Sequence, residues 1–301
     1  MKTTAFDIVE NHDLSGKVFL ITGGYAGLGA INTKALLMAK ATVIISGRNP
    51  QLQSDFAKTL REDPDINFED HQLDASHTVD LGDLQSVADF ALYIKKTHKQ
   101  IDCLINNAGV MFTPPGKTKN GFETQMGINV IGHFLLSKML VDITRRQVWL
   151  SSKGHIRYGS PRIELDAITE VDEANYISRR RYQQSKLGNI LLAKEFTRRY
   201  PHMKAVSVHP GGVKTNLGRH MTTGQKIAFV LKNPFIVMAM VEPEEGAATQ
   251  VMLAVLPDEE LENGAYYADC KVARETESAR NMEDAQKLFD YCDEVTKHFQ
   301  G

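Results

Sequence analysis

A glycine-rich turn directly behind the first apolar segment constrains this chain more than any other feature. The segment KVFLIT (17–22) runs into TGGYAGLGA, in which Gly23, Gly27 and Gly29 are spaced Gly-x-x-x-Gly-x-Gly. Glycines at such a turn let the backbone bend tightly and approach a pyrophosphate without a Cβ in the way. The helix that follows would offer free N–H groups and a positive dipole end to the phosphates. A glycine cluster alone is often a simple turn, but its place between a strand and a helix predicts dinucleotide binding.

Short apolar runs alternate with segments of helical length along the chain. The apolar runs, rich in Val, Ile and Leu, are KVFLIT (17–22), TVIIS (42–46), DCLINN (102–107), QVWLSS (147–152) and KAVSVH (204–209). The segments that we predict to be helices include 84–98, 122–142, 182–200, 243–256 and 282–299. The alternation is typical of βαβ units and predicts an α/β, Rossmann-type fold, a doubly wound parallel sheet with helices on both faces.

The position of the third strand remains open, whereas the number of domains can be predicted. The third strand is ambiguous, because either FEDHQLD or SHTVDL within residues 63–80 fits the pattern. No repeat or Pro/Ser-rich linker interrupts the chain, so we interpret residues 1–301 as a single domain with residues 1–15 as an N-terminal extension.

The composition is that of an ordinary soluble protein. Of 301 residues, 42% are hydrophobic and 24% are charged, and the net charge of −2 argues against a nucleic-acid binder. Cys103, Cys270 and Cys292 lie far apart, which indicates a reducing compartment, and no His, Cys and Asp cluster has the spacing of a metal site. The longest apolar run, 227–241, is too short and too interrupted to span a bilayer. We therefore expect a cytoplasmic protein, with peripheral membrane contact left open.

The end of the second predicted strand bears on which nucleotide is bound. An acidic side chain there would accept a hydrogen bond from the ribose 2′-hydroxyl and select NAD(H). The sequence instead reads IISGRN, with Gly47 in that place and Arg48 behind it. A planar guanidinium suits a 2′-phosphate. NADP(H) is therefore favoured over NAD(H), although Arg48 could also be a solvent-facing loop residue.

A tyrosine and a lysine lie four residues apart in RRRYQQSKLGNILLAKEF, residues 179–196. Positions i and i+4 are neighbours on a helix, so the pair is either an ordinary helix surface or a phenol held beside an ammonium. A tyrosine, whose ordinary pKa is near ~10, becomes an acid/base near neutrality only where positive charge favours phenolate. Helical periodicity also predicts one stripe that faces the cofactor and the core, composed of Tyr182, Lys186, Asn189, Ala193 and Phe196.

With these motifs in this order, the chain resembles the short-chain dehydrogenase/reductase family from about Lys17 to about Arg274. Further markers of that family follow at the expected places, namely NNAG (106–109), NVIGHFLL from Asn129, Ser151–Ser152, YQQSK and HPGGVKTNL (209–217). Each is weak alone, and their joint order makes chance implausible. The phrases EPEEGAATQ and AYYADCKVAR further resemble the retinol-dehydrogenase-like branch, whose members reduce lipophilic aldehydes and ketones.

The resemblance implies a role for each matching residue. Tyr182 would be the general acid/base, Lys186 its partner, Ser152 the carbonyl-binding hydroxyl, and Asn129 the fourth member, acting through a water. Thr215 would anchor the carboxamide, and Asp80 would meet the adenine amino group, with Asp74 as a rival. The full set of implied cofactor contacts is Gly23, Tyr25, Ala26, Gly27, Leu28, Gly29, Arg48, Asp80, Leu81, Asn107, Ala108, Gly109, Tyr182, Lys186, Pro210, Gly211, Val213 and Thr215.

These residues predict an NADP(H)-dependent oxidoreductase that interconverts a carbonyl and an alcohol, on a lipophilic or extended small-molecule substrate. Two other functions stay open. One is a C=C reductase or an epimerase that uses the same four residues. The other is a non-catalytic regulator that binds NADP(H), although such a protein has no need of all four.

Several features fall outside this core prediction. Leu187 and Leu191 lie opposite the catalytic stripe, where they serve either packing within the monomer or a homodimer contact. Arg179, Arg180 and Arg181, with Lys153, His155, Arg157 and Arg162, are either a solvated loop or a basic rim for an anionic substrate. The family places a mobile lid at about 217–242, where Phe229, Leu231, Phe235, Met238 and Met240 are either core or an apolar substrate wall. His133 is interpreted as a packed helix residue.

Overall fold

One sheet organises the computed structural model, which describes residues 2–157, 162–213 and 240–300. Within these ranges, eight strands pair in the order β3-β2-β1-β4-β5-β6-β7-β8. The strands are β1 Val18–Thr22, β2 Thr42–Ser46, β3 Leu73–Asp74, β4 Cys103–Asn106, β5 Arg146–Leu150, β6 Lys204–His209, β7 Tyr266–Ala268 and β8 Lys271–Val272. All neighbours pair in parallel except β7 and β8, which form an antiparallel hairpin.

Helices cover both faces of this sheet, which confirms the predicted fold class. They are α1 Ala5–Val9, α2 Gly27–Met38, α3 Pro50–Glu62, α4 Leu84–Thr97, α5 Thr124–Met126, α6 His133–Met139, α7 Gly154–Arg157, α8 Ser178–Arg199, α9 Pro243–Val255 and α10 Met282–Thr296. Short 3₁₀ turns span Asp70–Gln72, Val141–Ile143, Asp166–Ile168, Glu173–Asn175, Ser278–Arg280 and Lys297–Phe299. One hydrophobic cluster joins α4, α6, α8 and α10 to the sheet, and a second joins α1, α2, α3 and α9 to the other face.

The strand order reverses direction at β1, which lies between β2 and β4. In open parallel sheets, ligands bind outside the carboxyl ends of the strands at such a switch point. The glycine-rich turn leaves β1 at this point, and NNAG leaves β4 beside it. The fold therefore brings the predicted cofactor motifs to one edge of the sheet.

The ambiguous third strand is resolved by its pairing. Leu73–Asp74, within FEDHQLD, pairs with Val43 and Ile44 of β2. The alternative segment also reaches β2, because the N–H of Val79 donates to the Gly47 carbonyl at 3.1 Å. The strand is two residues long, too short for a periodic pattern to single out.

The segment 122–142, predicted as one helix, is interrupted. Between α5 and α6, residues Gly127–Gly132 form a π-helical turn that contains Asn129. A Cβ at Gly132 would overlap the Leu81 carbonyl, so close tertiary packing accompanies the widened turn. A π turn inside an α-helix often marks a functional site.

The second apolar side of α8 is covered within the chain. Leu187 and Leu191 are buried in the cluster that α8 shares with α10, and a Cβ at Gly188 would lie 3.4 Å from Leu288 of α10. Intramolecular packing therefore accounts for both leucines, and the homodimer stays a prediction without support from this face.

None of the helices in the described ranges combines the length and apolarity that a bilayer crossing requires.

Candidate active site

The glycine-rich turn forms a cradle that has no room for side chains. Gly23 and Gly27 have positive φ angles of 65° and 53°. A Cβ at Gly29 would overlap the Gly23 carbonyl and lie 2.7 Å from Nδ2 of Asn107. Helix α2 starts behind Ala26, and no side chain of the described residues caps it. Its first N–H groups are therefore left for an anionic ligand such as a phosphate.

Tyr25 occupies the place where an acid would select the ribose 2′-hydroxyl. A Cβ at Gly47 would lie 2.6 Å from Cε1 of Tyr25, and the N–H of Asn49 donates to the Tyr25 hydroxyl at 3.3 Å. Arg48 is exposed between them and has no carboxylate partner in the described ranges. Because the phenol ring lies against Gly47, this position cannot take a side chain unless Tyr25 moves.

The two candidate acids beyond β3 differ in what their carboxylates already bind. The Asp74 carboxylate accepts hydrogen bonds from the Ser76 hydroxyl at 2.6 Å and the Tyr93 hydroxyl at 2.7 Å. Asp80 is exposed, and its carboxylate accepts from the N–H of Gly82 at 2.9 Å. Asp80 also follows Val79, which is bonded to Gly47 at the end of β2. The geometry therefore favours Asp80 for a ligand in the cleft.

The NNAG turn behind β4 is tied to the end of β1. Oγ1 of Thr22 accepts from the N–H groups of Asn107 and Ala108, at 3.0 Å each. Nδ2 of Asn107 donates to the Thr22 carbonyl at 2.8 Å. A Cβ at Gly109 would lie 3.1 Å from Oδ1 of Asn129 and 3.7 Å from Nζ of Lys186. This turn thus connects the cradle to the predicted catalytic residues.

Tyr182 and Ser152 come together at the start of α8. Tyr182 is 7% exposed, and its phenol lies near the Ser152 hydroxyl. A Cβ at Gly154 would lie 3.3 Å from Oγ of Ser152 and 3.6 Å from Cε1 of Tyr182. Burial raises the pKa of Tyr182 to about 12, against the opposing effect of the Ser152 hydroxyl, which lowers the pKa of the phenol. The phenol is therefore protonated at neutral pH in the chain alone.

Lys186 lies one helical turn further along the same stripe. Its Nζ is 5.7 Å from the centroid of the Tyr182 ring and donates to the Leu150 carbonyl at 3.0 Å. Burial lowers the pKa of Lys186 to about 8. Asn189 donates to the same carbonyl at 2.7 Å, and Ala193 and Phe196 are also buried. The predicted stripe is thus buried along its length.

Asn129 is held by three hydrogen bonds of its side chain. Oδ1 accepts from the N–H of Val110 at 2.9 Å, while Nδ2 donates to the Val110 carbonyl and to Oγ of Ser185, at 3.0 Å each. Ser185 in turn donates to the Tyr182 carbonyl at 2.7 Å. All four predicted catalytic residues therefore lie at one place.

The turn behind β6 approaches the cradle from the other side. Pro210 and Gly211 follow β6, and Gly211 has a φ of 89°. Val213 pairs with Val241. A Cβ at Gly246 of α9 would overlap the Val213 side chain and lie 3.2 Å from Leu28 of α2. Thr215 and most of the predicted lid, including Phe229, Leu231, Phe235 and Met238, lie outside the described residues.

Most of the predicted basic rim is engaged by acids. Arg180 donates to Glu164 at 2.9 Å, and Arg181 lies 3.7 Å from the same carboxylate. Arg162 pairs with Asp284 at 2.7 Å, and Lys153 lies 3.6 Å from Asp269. His155 is buried, with Nδ1 2.6 Å from the Ser152 carbonyl. The Arg157 side chain lies outside the described part.

Arg179 differs from the other two arginines at the start of α8. Its guanidinium lies 5.8 Å from the centroid of Phe112, which meets Tyr182 edge-on at 5.5 Å. No acid of the described ranges pairs with it. Phe112 has a positive φ of 54°, an uncommon conformation for a bulky residue that recurs at functional sites. Sequence reasoning missed Phe112, because no pattern signals its backbone conformation.

The comparisons with known proteins agree with this geometry. A family model described as "short chain dehydrogenase" matches residues 17–160. Retinol dehydrogenase 14 of Mus musculus is 36% identical over 292 residues, which cover 92% of this chain and 85% of that protein. Short-chain dehydrogenase TIC 32 A, chloroplastic, of Brassica napus is 33% identical over 304 residues, which cover 96% and 91%. A crystal structure of an uncharacterized protein from Mycobacterium paratuberculosis superposes with a TM-score of 0.76 at 27% identity, covering 99% of this chain and 98% of that one.

Proposed function

This chain belongs to the short-chain dehydrogenase/reductase family, on its retinol-dehydrogenase-like branch, and we propose that it uses NADP(H) with Tyr182 as the general acid/base. The family acts as carbonyl and alcohol oxidoreductases with a nicotinamide dinucleotide. The observation that carries the proposal is one buried cluster, in which Ser152 and the Tyr182 ring meet beside Gly154 and Nζ of Lys186 lies 5.7 Å from the centroid of that ring.

The residues at the switch point fit a dinucleotide. The cradle excludes a Cβ at Gly29, and α2 starts without a side-chain cap among the described residues. A turn whose glycines leave the backbone open and whose helix N–H groups are uncapped suits a pyrophosphate. We propose that Gly23 to Gly29 hold it, that Asp80 and Leu81 meet the adenine, and that Asn107 to Gly109 line the cleft between the two ends.

Two observations and one chemical property support NADP(H) over NAD(H). Tyr25 leaves no room for an acid at position 47. Arg48 is exposed beside that place and lacks a carboxylate partner among the described residues. A guanidinium donates in a planar fork that matches a phosphate. We therefore propose that Arg48 binds the 2′-phosphate and that Tyr25 excludes the carboxylate that NAD(H) would need.

The catalytic residues divide the proton transfer between them. When bound, the nicotinamide dinucleotide supplies or accepts the hydride. Ser152 binds the substrate oxygen, where negative charge develops as the carbonyl is reduced. Tyr182, protonated because burial raises its pKa to about 12, gives its proton to that oxygen. The Lys186 ammonium then stabilises the phenolate that remains, and Asn129 completes the relay by which the proton is replaced.

The substrate that best fits this mouth is apolar close to the reacting carbon. The Phe112 ring stands beside Tyr182 at 5.5 Å. Met240, at the end of the predicted lid, is half-buried, and methionine adapts to irregular apolar surfaces. One relative is named a retinol dehydrogenase. We propose a lipophilic aldehyde or ketone.

The test is NADPH oxidation by the purified chain with a panel of apolar aldehydes and ketones, retinal among them. We expect Tyr182→Phe to lower turnover by about 10²- to 10⁴-fold with unchanged NADPH affinity, since only the proton donor is lost. Tyr200→Phe, at the far end of α8, is the matched control and should retain activity. Full turnover by Tyr182→Phe, or no binding of either nucleotide, would contradict the proposal, whereas binding without turnover would identify a regulator.

A further inference from the structure

His133 is a fully buried polar residue to which the mechanism above assigns nothing. It lies at the first position of α6, directly behind the π turn, and is 0% exposed. Both ring nitrogens have partners. Nε2 lies 2.8 Å from Oγ1 of Thr22, and Nδ1 lies 3.1 Å from the backbone carbonyl of Asn129. The ring therefore makes directional hydrogen bonds at both nitrogens in addition to its packing contacts.

The partners determine where the ring carries its hydrogen. The Asn129 carbonyl only accepts, so Nδ1 must be the donor. Burial lowers the pKa of His133 to about 3, so the ring is neutral and Nε2 is an acceptor. Thr22 therefore donates to Nε2, and its remaining lone pairs accept from the N–H groups of Asn107 and Ala108. With this assignment, each of the four hydrogen bonds that link Asn129, His133, Thr22 and the NNAG turn has one donor and one acceptor.

The imidazole also adds a hydrogen bond to the backbone of the π turn. In an α-helix, the carbonyl of Asn129 would accept from the N–H of residue 133. Here the N–H of His133 donates to the Val130 carbonyl, and the imidazole Nδ1 of the same residue donates to the Asn129 carbonyl. The ring thereby supports the widened turn that carries Asn129.

We propose that His133 is a positioning residue that couples the cofactor turn to the catalytic tetrad. Through Thr22 it fixes the backbone of Asn107 and Ala108, and through Nδ1 it fixes the backbone of Asn129. Asn129 in turn bonds to Ser185, which bonds to the Tyr182 carbonyl. One neutral ring thus sets the distance between the nicotinamide side of the cleft and the proton relay. The inference rests on the proposed function for its effect on turnover, but not for its geometry.

Two substitutions separate the two ends of the ring. His133→Asn retains an amide donor near the position of Nδ1 and loses the partner of Thr22, whereas His133→Gln retains an acceptor near Nε2 and loses the donor to Asn129. We expect His133→Asn to weaken NADPH binding about fivefold with kcat nearly unchanged at saturating cofactor. His133→Gln should lower kcat about tenfold with NADPH affinity within about twofold.

A second pair of variants changes Thr22, the residue that contacts Nε2 of His133. Thr22→Val removes the hydroxyl and should reproduce the loss of NADPH affinity, while Thr22→Ser keeps the hydroxyl and should bind like the native chain. Equal losses of affinity and kcat in both His133 variants, in step with a lower Tm, would mean a merely structural role and overturn the proposal. Native NADPH affinity and native kcat in all four variants would also overturn the proposal.

Nitrogen NMR of the native chain tests the geometry without cofactor or substrate. The resonance absent from His133→Gln should report a neutral ring with hydrogen on Nδ1, unchanged across the neutral pH range. Hydrogen on Nε2 would overturn the proposal. If the native chain turns over no carbonyl, the proposed function fails, and the NMR and NADPH-binding measurements still decide the role of His133.

Discussion

The proposed cofactor cradle and the proposed catalytic pocket lie side by side but differ in how they are built. The cradle is made of backbone, and its shape depends on side chains being absent, since a Cβ at Gly29 would overlap a carbonyl. The pocket is made of buried side chains whose ionisation is shifted, with the pKa of Tyr182 raised to about 12 and that of Lys186 lowered to about 8. The cradle therefore depends on free space, and the pocket depends on how burial changes the pKa of its side chains.

This difference predicts two kinds of failure. Added volume in the cradle should weaken cofactor binding while leaving the proton chemistry intact. Removed charge in the pocket should change pH dependence and turnover more than cofactor binding, although Tyr182 and Lys186 are also implied cofactor contacts. A cradle substitution that changed the proton chemistry, or a pocket substitution that mainly weakened cofactor binding, would contradict this distinction.

The largest effect should come from the buried ammonium. Below about pH 8, Lys186 is charged in the folded and the unfolded chain, and the folded chain bears the cost of burying that charge. Between about pH 8 and about pH 10, only the unfolded chain keeps the proton, so that cost is relieved as pH rises. The free energy of unfolding of the native chain should therefore increase relative to Lys186→Met across this window, by up to about 3 kcal/mol. Urea unfolding of both proteins at several pH values measures the difference, and a pH-independent difference would contradict the buried charge.

Added volume in the cradle should act next. In Gly29→Ala, the new methyl group would overlap the Gly23 carbonyl and crowd Asn107. We expect NADPH affinity to fall about 100-fold, because overpacking costs about 1–3 kcal/mol at a rigid site. Gly116→Ala is the matched control, since its nearest neighbour is the Thr124 hydroxyl at 3.2 Å. Isothermal titration with NADPH compares them, and equal affinities would sink the steric account of the cradle.

Coenzyme preference should respond more modestly. Arg48→Ala removes the exposed guanidinium beside Gly47 and should raise the KM for NADPH about tenfold, with the KM for NADH unchanged. Arg61→Ala removes a charge from the far end of α3, where it pairs with Asp70, and serves as the control. If both coenzymes weaken equally in Arg48→Ala, then Arg48 does not read the 2′-phosphate.

The smallest effect should be at the mouth of the pocket. Arg179 has no acid partner in the described ranges, whereas Arg180 donates to Glu164. For a carbonyl substrate that carries a carboxylate, Arg179→Ala should raise KM about threefold and Arg180→Ala should not, since exposed pairs contribute little. Identical responses of an uncharged substrate would refute an electrostatic role for Arg179.

The longer strands were predictable because local sequence decides them, whereas β3, β7 and β8, of two or three residues each, were not. TVIIS and KAVSVH form β2 and β6 with the predicted ends, since each is a short apolar run between polar residues. The break at Gly127–Gly132 was not predictable. Helical periodicity continues through the π turn, and the His133 ring that bonds to this turn is held in place by Thr22 of β1, a distant part of the sequence.

The proposed catalytic residues were predicted as a set, but their surroundings were not. Tyr182, Lys186, Ser152 and Asn129 lie together as the resemblance implied. The neutralisation of Arg180 and Arg181 by Glu164 depends on a loop that crosses the start of α8, and no spacing in the sequence signals it. Long-range pairing of this kind follows from the path of the chain in space.

The contact between Tyr25 and Gly47 constrains how coenzyme use in this lineage can evolve. An aspartate at position 47 has no room while the Tyr25 ring keeps its place, so that ring must move or be replaced first. The two positions are therefore epistatic, and the order of mutation is set by geometry. A switch of coenzyme would pass through an intermediate with neither the ring nor the acid, and that intermediate is the one for a directed-evolution experiment to begin from.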